Sequence, residues 1–196
     1  TSLQNRLPKP MSEREVLRLG SALSHTMMAA HQLSITHGSI SPDVILLSNQ
    51  AALDCNDSFS LTGFGQSALL AQLAKATGAQ KGLSQQRLAF VAPEDKESYS
   101  DTPAADVYGI GSVLYSLLSG ATPSPGQTAL KALDVQLSYL IEQMMSASPA
   151  LRPSMRQVAS ELATLLASES LFKLEQRVSA ELGEELSVES CNNTQR

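Results

Sequence analysis

The sequence predicts a mainly α-helical domain with one small β-hairpin, and three observations carry that prediction. Apolar residues recur at helical spacing through Val16, Leu17, Leu19, Leu23 and Met27. A nearly continuous apolar stretch over about 104–119 is too long for a strand and is closed by Gly120. A short apolar run, 44–47, and a second candidate strand, 58–62, flank a segment rich in turn residues.

The elements follow in order. Pro8 and Pro10 enforce an extended entry. Ser12 with Glu15 three residues on forms a capping box, so a helix is expected from there to about His31. The runs 44–47 and 58–62 pair as a hairpin around a turn over 49–57, and Gly63-Phe64-Gly65 ends it. Residues 66–91 mix a helical-looking patch, Leu69 to Lys75, with Gly, Gln and Ser, and read as a long ordered loop. Pro103 opens the central helix, whose Val107, Ile110, Val113, Leu114, Leu117 and Leu118 cover more than one face, so burial all round is expected. Pro123, Pro125 and Gly126 mark a loop. Helices are expected over about 128–146 and 153–167, with Ser148-Pro149 between them. A separate last helix over 168–188 carries Leu171, Leu174, Val178, Leu182 and Leu186 on one side, and 189–196 is a polar tail.

Composition bounds the function. The chain has 196 residues, enough for one domain with a substantial core, and 42% of them are hydrophobic. The net charge is −5 without a run of Lys or Arg, which argues against nucleic acid as the main partner. No stretch approaches the ~18 apolar residues of a membrane span. Cys55 and Cys191 have neither a disulfide framework nor metal spacing and read as free thiols, which fits a reducing compartment. The first residue is Thr1, so a fragment of a longer or processed chain is expected.

The segment Ile35-Thr36-His37-Gly38-Ser39-Ile40-Ser41-Pro42-Asp43-Val44-Ile45-Leu46-Leu47 carries the most information. It resembles the catalytic loop of a eukaryotic-type protein kinase, His-Arg-Asp-Leu-Lys-Pro-Glu-Asn-Ile-Leu-Leu. Further landmarks stand in the family's order. Leu61-Thr62-Gly63-Phe64-Gly65 resembles the strand entering Asp-Phe-Gly, and Ala92-Pro93-Glu94 matches the end of the activation segment. Ala105-Asp106-Val107-Tyr108-Gly109 resembles the start of the central helix, and Pro149-Ala150-Leu151-Arg152-Pro153 the late Asp-Pro-x-x-Arg-Pro. The resemblance runs from about Ser2 to Leu166 and implies a kinase-like C-terminal lobe over 1–167, with the small lobe not in this chain.

The resemblance also implies roles. Glu94 and Arg152 would pair, Asp106 would hold the catalytic-loop backbone, and His37 and Phe64 would stack in the lobe's packed column. Leu46 would lie under an adenine ring. The catalytic positions depart from the family. Ser39 stands where it has the catalytic Asp, Ser41 where it has Lys, and Val44 and Gly63 where it has metal ligands. Phosphoryl transfer needs Mg²⁺ and an oriented hydroxyl, and Val44 and Gly63 offer no side-chain oxygen. The stretch 120–137 is also shorter than the family's, where a substrate-docking helix usually lies.

Plainer readings compete at several positions. Ser39 has no adjacent base and reads as a loop serine. Asp43, Asp54 and Asp57 match no cation-loop spacing and read as surface turn residues. His25 and His31 lie six apart, which is wrong for a shared metal on a helix. The terminal helix packs on its own domain, on a partner or on a second copy. The expectation is therefore a catalytically inactive kinase-like domain, not an enzyme, that binds a protein partner as a scaffold or allosteric regulator, with no cofactor and no metal. The rivals are a structural subunit of a larger assembly and a nucleotide-binding enzyme of altered chemistry.

Overall fold

The computed structural model describes residues 2–7, 9–48, 59–77, 85–96, 102–123 and 134–193. Helix α1, Glu13–Gln32, begins at the expected capping box. The Glu15 backbone N–H donates to Ser12 Oγ, and the Ser12 N–H donates back to the Glu15 carboxylate at 3.0 Å. Strands β1, Ile45–Leu47, and β2, Phe59–Leu61, pair antiparallel with Leu46 opposite Ser60. Helix α2 spans Gln66–Thr77 and the short α3 spans Gln85–Leu88. Helix α4 is Pro103–Ser119, α5 is Val135–Met144 and α6 is Met155–Asn193. Among the described residues the architecture is mainly helical with one small two-stranded sheet.

Helix α4 is the axis of the lobe. Every residue from Ala105 to Leu117 is buried. Thr102 caps its start by accepting the Ala105 N–H, and Gly120 ends it in the left-handed region at φ 67°. Its Ile110, Leu114 and Leu117 meet Leu23 and Met27 of α1, Leu140, Ile141 and Met144 of α5 and Leu162 of α6 in one core. Each such side chain contributes about 1.5–3 kcal/mol by leaving water. Helices α1 and α6 form the most extensive pair in the lobe. The chain start is tied down as well. Leu3 is fully buried, and the Gln4 N–H donates to the Pro42 carbonyl at 3.2 Å.

Several expectations are corrected. The stretch 66–77, expected as loop, is helix α2. Its Leu69 and Leu73 are exposed. The two helices expected over 153–167 and 168–188 are one helix, α6. The serines near the expected boundary lie within it, with Ser168 Oγ and Ser170 Oγ donating back to the Thr164 and Leu166 carbonyls. The helix expected from 128 starts at Val135 among the described residues, capped by Asp134. The hairpin turn 49–57, including Asp54 and Asp57, lies outside the described residues, as does the end of the polar tail. No described helix is long and apolar enough to cross a membrane.

Candidate functional site: a loop held from below

Between α1 and β1 the chain passes through His37, and this loop is fastened by one carboxylate. Asp106, in the first turn of α4, is 1% exposed. Its Oδ1 accepts the Gly38 N–H at 2.7 Å and its Oδ2 the His37 N–H at 3.0 Å. Oδ2 also takes His31 Nε2, from the last turn of α1, at 2.8 Å. Three donors on one buried carboxylate satisfy its charge and join α1, the loop and α4 at one point. Sequence reading weighed His31 only as a metal ligand. Its partner stands 75 positions away, and no local signal marks the pair.

The His37 ring is buried at 1% exposure. Its Nε2–H donates to the Thr62 carbonyl at 2.8 Å, and its Nδ1 accepts the Ser39 N–H at 3.3 Å. One ring therefore bridges the loop to the end of β2. The Phe64 ring lies 4.7 Å from it, tilted by 57°. Phe64 is 41% exposed, so the upper face of this pair is open. Leu46, the residue placed under adenine by resemblance, is 37% exposed on β1.

Three of the four departing positions have local roles. Ser41 is buried, and its Oγ donates to Asp43 Oδ1 at 2.6 Å. Val44 is 4% exposed and belongs to the core, while its carbonyl accepts the Thr62 N–H at 2.9 Å. Gly63 has φ 88°, in the region that favours glycine. A Cβ placed on Gly63 would lie 3.5 Å from Val44 Cγ1. The two positions therefore adjoin in space, as a shared metal would need, and neither carries a donor side chain. No group of three His, Cys, Asp or Glu side chains suited to a metal occurs among the described residues.

A second fastening lies at the far end. Arg152 NH1 and NH2 donate to Glu94 Oε1 and Oε2 at 2.6 and 2.8 Å. Arg152 also donates to the carbonyls of Ser146 and Ala104, at 2.9 and 3.0 Å, and its guanidinium lies 5.0 Å from the centre of the Tyr108 ring. Burial pushes the Glu94 carboxyl up, but the Arg152 hydrogen bonds, a backbone hydrogen bond and the Arg152 charge outweigh it and hold the group below its ordinary value.

Asp43 is the surface turn residue expected, with 32% of its side chain exposed. It accepts from Arg87 Nε at 2.8 Å and from Arg87 NH2, which joins the loop to α3. Burial raises the Asp43 carboxyl, and hydrogen bonds from Ser41 and Arg87 with the Arg87 charge bring it below its ordinary value.

The family model described as the protein kinase domain matches residues 1–184. Serine/threonine-protein kinase PknK of Mycobacterium bovis is 35% identical over 111 residues, which are 57% of this chain and 9% of that protein. Serine/threonine-protein kinases drp72 of Corynebacterium efficiens is 28% identical over 152 residues, covering 78% and 26%. Serine/threonine-protein kinase PkaA of Streptomyces coelicolor is 29% identical over 172 residues, covering 78% and 30%. The chain thus spans less than a third of the length of these relatives. The expectation of a non-enzyme is overturned here: the relatives bear the names of serine/threonine-protein kinases and the matching domain is a kinase domain, which points to a kinase. From Asp106 under the His37 loop to the Arg152–Glu94 clasp and the family match over 1–184, the conclusion is that this chain belongs to the protein kinase domain family.

Proposed function

We propose that this chain is the large lobe of a serine/threonine-kinase-type protein, and that the lobe serves that protein as a protein-binding scaffold and allosteric element. The observation that carries this reading is the contrast between two sets of positions. Asp106, His37, Glu94 and Arg152 make the bonds that hold loop and segment in shape. Ser39, Ser41, Val44 and Gly63, where the family places its catalytic and metal-binding side chains, bring no carboxylate to the same loop. In this reading His37, Phe64, Glu94, Asp106 and Arg152 are structural residues. A frame that keeps two loops in a defined arrangement presents a defined surface, which binding requires and phosphoryl transfer alone does not exhaust.

The exposed apolar side chains of α6 add a candidate contact surface. Leu171, Phe172 and Leu174 are 62%, 59% and 56% exposed. Leu171 and Leu174 share a helix face, and with Phe172 they suit an apolar groove or a second helix on a protein partner.

The test uses the longest natural protein that contains this chain. Phosphotransfer from Mg²⁺-ATP to casein and co-purification of bound proteins are measured for the wild type, Ser39→Ala and Glu94→Gln. The reading predicts that Glu94→Gln lowers both signals and that Ser39→Ala changes neither. Phosphotransfer abolished by Ser39→Ala but untouched by Glu94→Gln contradicts it.

A further inference from the structure

A cavity of about 580 Å³ opens where the end of α1 meets the starts of α4 and α6. Its size falls in the range of sites that hold small molecules, roughly 300–1,000 Å³. Met28, Val107, Pro153 and Met155 give it an apolar lining. Its polar lining is unusual for a chain of net charge −5, because it includes His31, Arg152 and Arg156 and no Asp or Glu. Arg152 is committed to Glu94. Arg156 is exposed and forms no ion pair with a described residue, so one cation at this site is free to meet a ligand.

The cavity also has a particular place in the fold. His31 in its wall is the side chain that bonds Asp106 Oδ2, beneath the His37 loop. Arg152 in its wall is the side chain that clasps Glu94. Both fastenings described above therefore border one space. A molecule in that space would pack against His31 and Arg152 together and restrict the motion of each.

We propose that this cavity is a regulatory binding site for a small amphipathic monocarboxylate, with its apolar body against Met28, Val107 and Met155 and its carboxylate at Arg156, and that occupancy braces the His37 loop through His31 and Asp106. The charge of the lining selects an anion over a cation, and the apolar lining selects a hydrocarbon body over a free inorganic anion. This inference does not depend on the scaffold reading of the lobe, since a ligand here would act on any activity that needs the loop in place.

The test uses the full 196-residue chain with sodium octanoate as probe and 1-octanol as its neutral counterpart. Binding is measured by calorimetry, and exchange of the His37 and Gly38 amide hydrogens by NMR with and without octanoate. Circular dichroism establishes that each variant is folded. The expected result is saturable octanoate binding below about 1 mM. Arg156→Gln weakens it about fivefold, as loss of a partly exposed ion pair would, and leaves 1-octanol binding unchanged. Ala104→Phe, which fills the cavity, removes binding of both. Octanoate slows exchange at His37 and Gly38. The proposal is overturned if the folded wild type shows no saturable binding, if neither variant alters it, or if the two amides exchange at the same rate with octanoate bound.

Discussion

Arg152 grips Glu94 through two parallel bonds of 2.6 and 2.8 Å, joining residues 58 positions apart in sequence. The Arg152 side chain is fully buried while Glu94 keeps 22% of its side chain exposed. Removing the arginine would leave a carboxylate and several backbone carbonyls without their donor. Arg152→Ala is therefore expected to cost about 3 kcal/mol, near the low end for a broken buried pair. Urea denaturation measures it. Arg152→Lys, which keeps the charge but not the fork, is expected to recover less than half of the loss.

The same clasp sets a pH dependence. The Glu94 carboxyl lies below its ordinary value of 4.5 and the Asp43 carboxyl below 3.8. A depressed carboxyl favours the folded state once it is ionised. This contribution is present in full above about pH 4.5 and is lost as pH falls through the depressed values. Thermal unfolding from pH 6 to pH 3 is expected to show a falling midpoint in the wild type. The fall should be shallower in Glu94→Gln, which starts from a lower midpoint.

Sequence reading reached the frame of this fold because its signals are local. Ser12 and Glu15 mark the start of α1, the apolar run marks α4, and Gly120 marks its end. The clasp partners Glu94 and Arg152 were legible only through a resemblance, since no spacing rule links positions so far apart. The His31–Asp106 and Arg87–Asp43 pairs escaped because each joins residues that only the tertiary fold brings together. Helix α2 escaped for a different reason. Its Leu69 and Leu73 are exposed, Gly63 and Gly65 stand before it, and the Gly, Gln and Ser after its apolar patch read as loop. The unity of α6 escaped because the stripe from Leu171 to Leu186 reads as a helix of its own, and no local signal shows that it continues the one before.

Close approach between α4 and the end of α5 depends on Gly111. A Cβ there would meet Met144 Cβ at 2.8 Å and Met145 Cγ at 3.1 Å. Alanine favours a helix over glycine by about 1 kcal/mol, yet overpacking costs about 1–3 kcal/mol. Gly111→Ala is thus expected to destabilise despite its better helix propensity. A lowered urea midpoint with unchanged slope would bear this out, and a raised midpoint would contradict the close packing.

The Arg87–Asp43 pair is more exposed, with side chains 30% and 32% accessible. Its contribution to global stability is expected to be about 1 kcal/mol or less. Its larger effect should be local, because it ties α3 to the loop. In Arg87→Ala, limited proteolysis is expected to cut within 85–92 faster than in the wild type, while the thermal midpoint moves little.

The central claim is that the His37 loop is held by Asp106 and owes its shape to that carboxylate rather than to the side chain at Ser39. Hydrogen exchange at the His37 and Gly38 amides tests this most directly, since both donate to Asp106 at 3.0 and 2.7 Å. The account predicts strong protection in the wild type and in Ser39→Ala. It predicts at least tenfold faster exchange in Asp106→Asn, whose amide cannot accept on both sides. Unprotected amides in the wild type, or protection that survives Asp106→Asn, would contradict it.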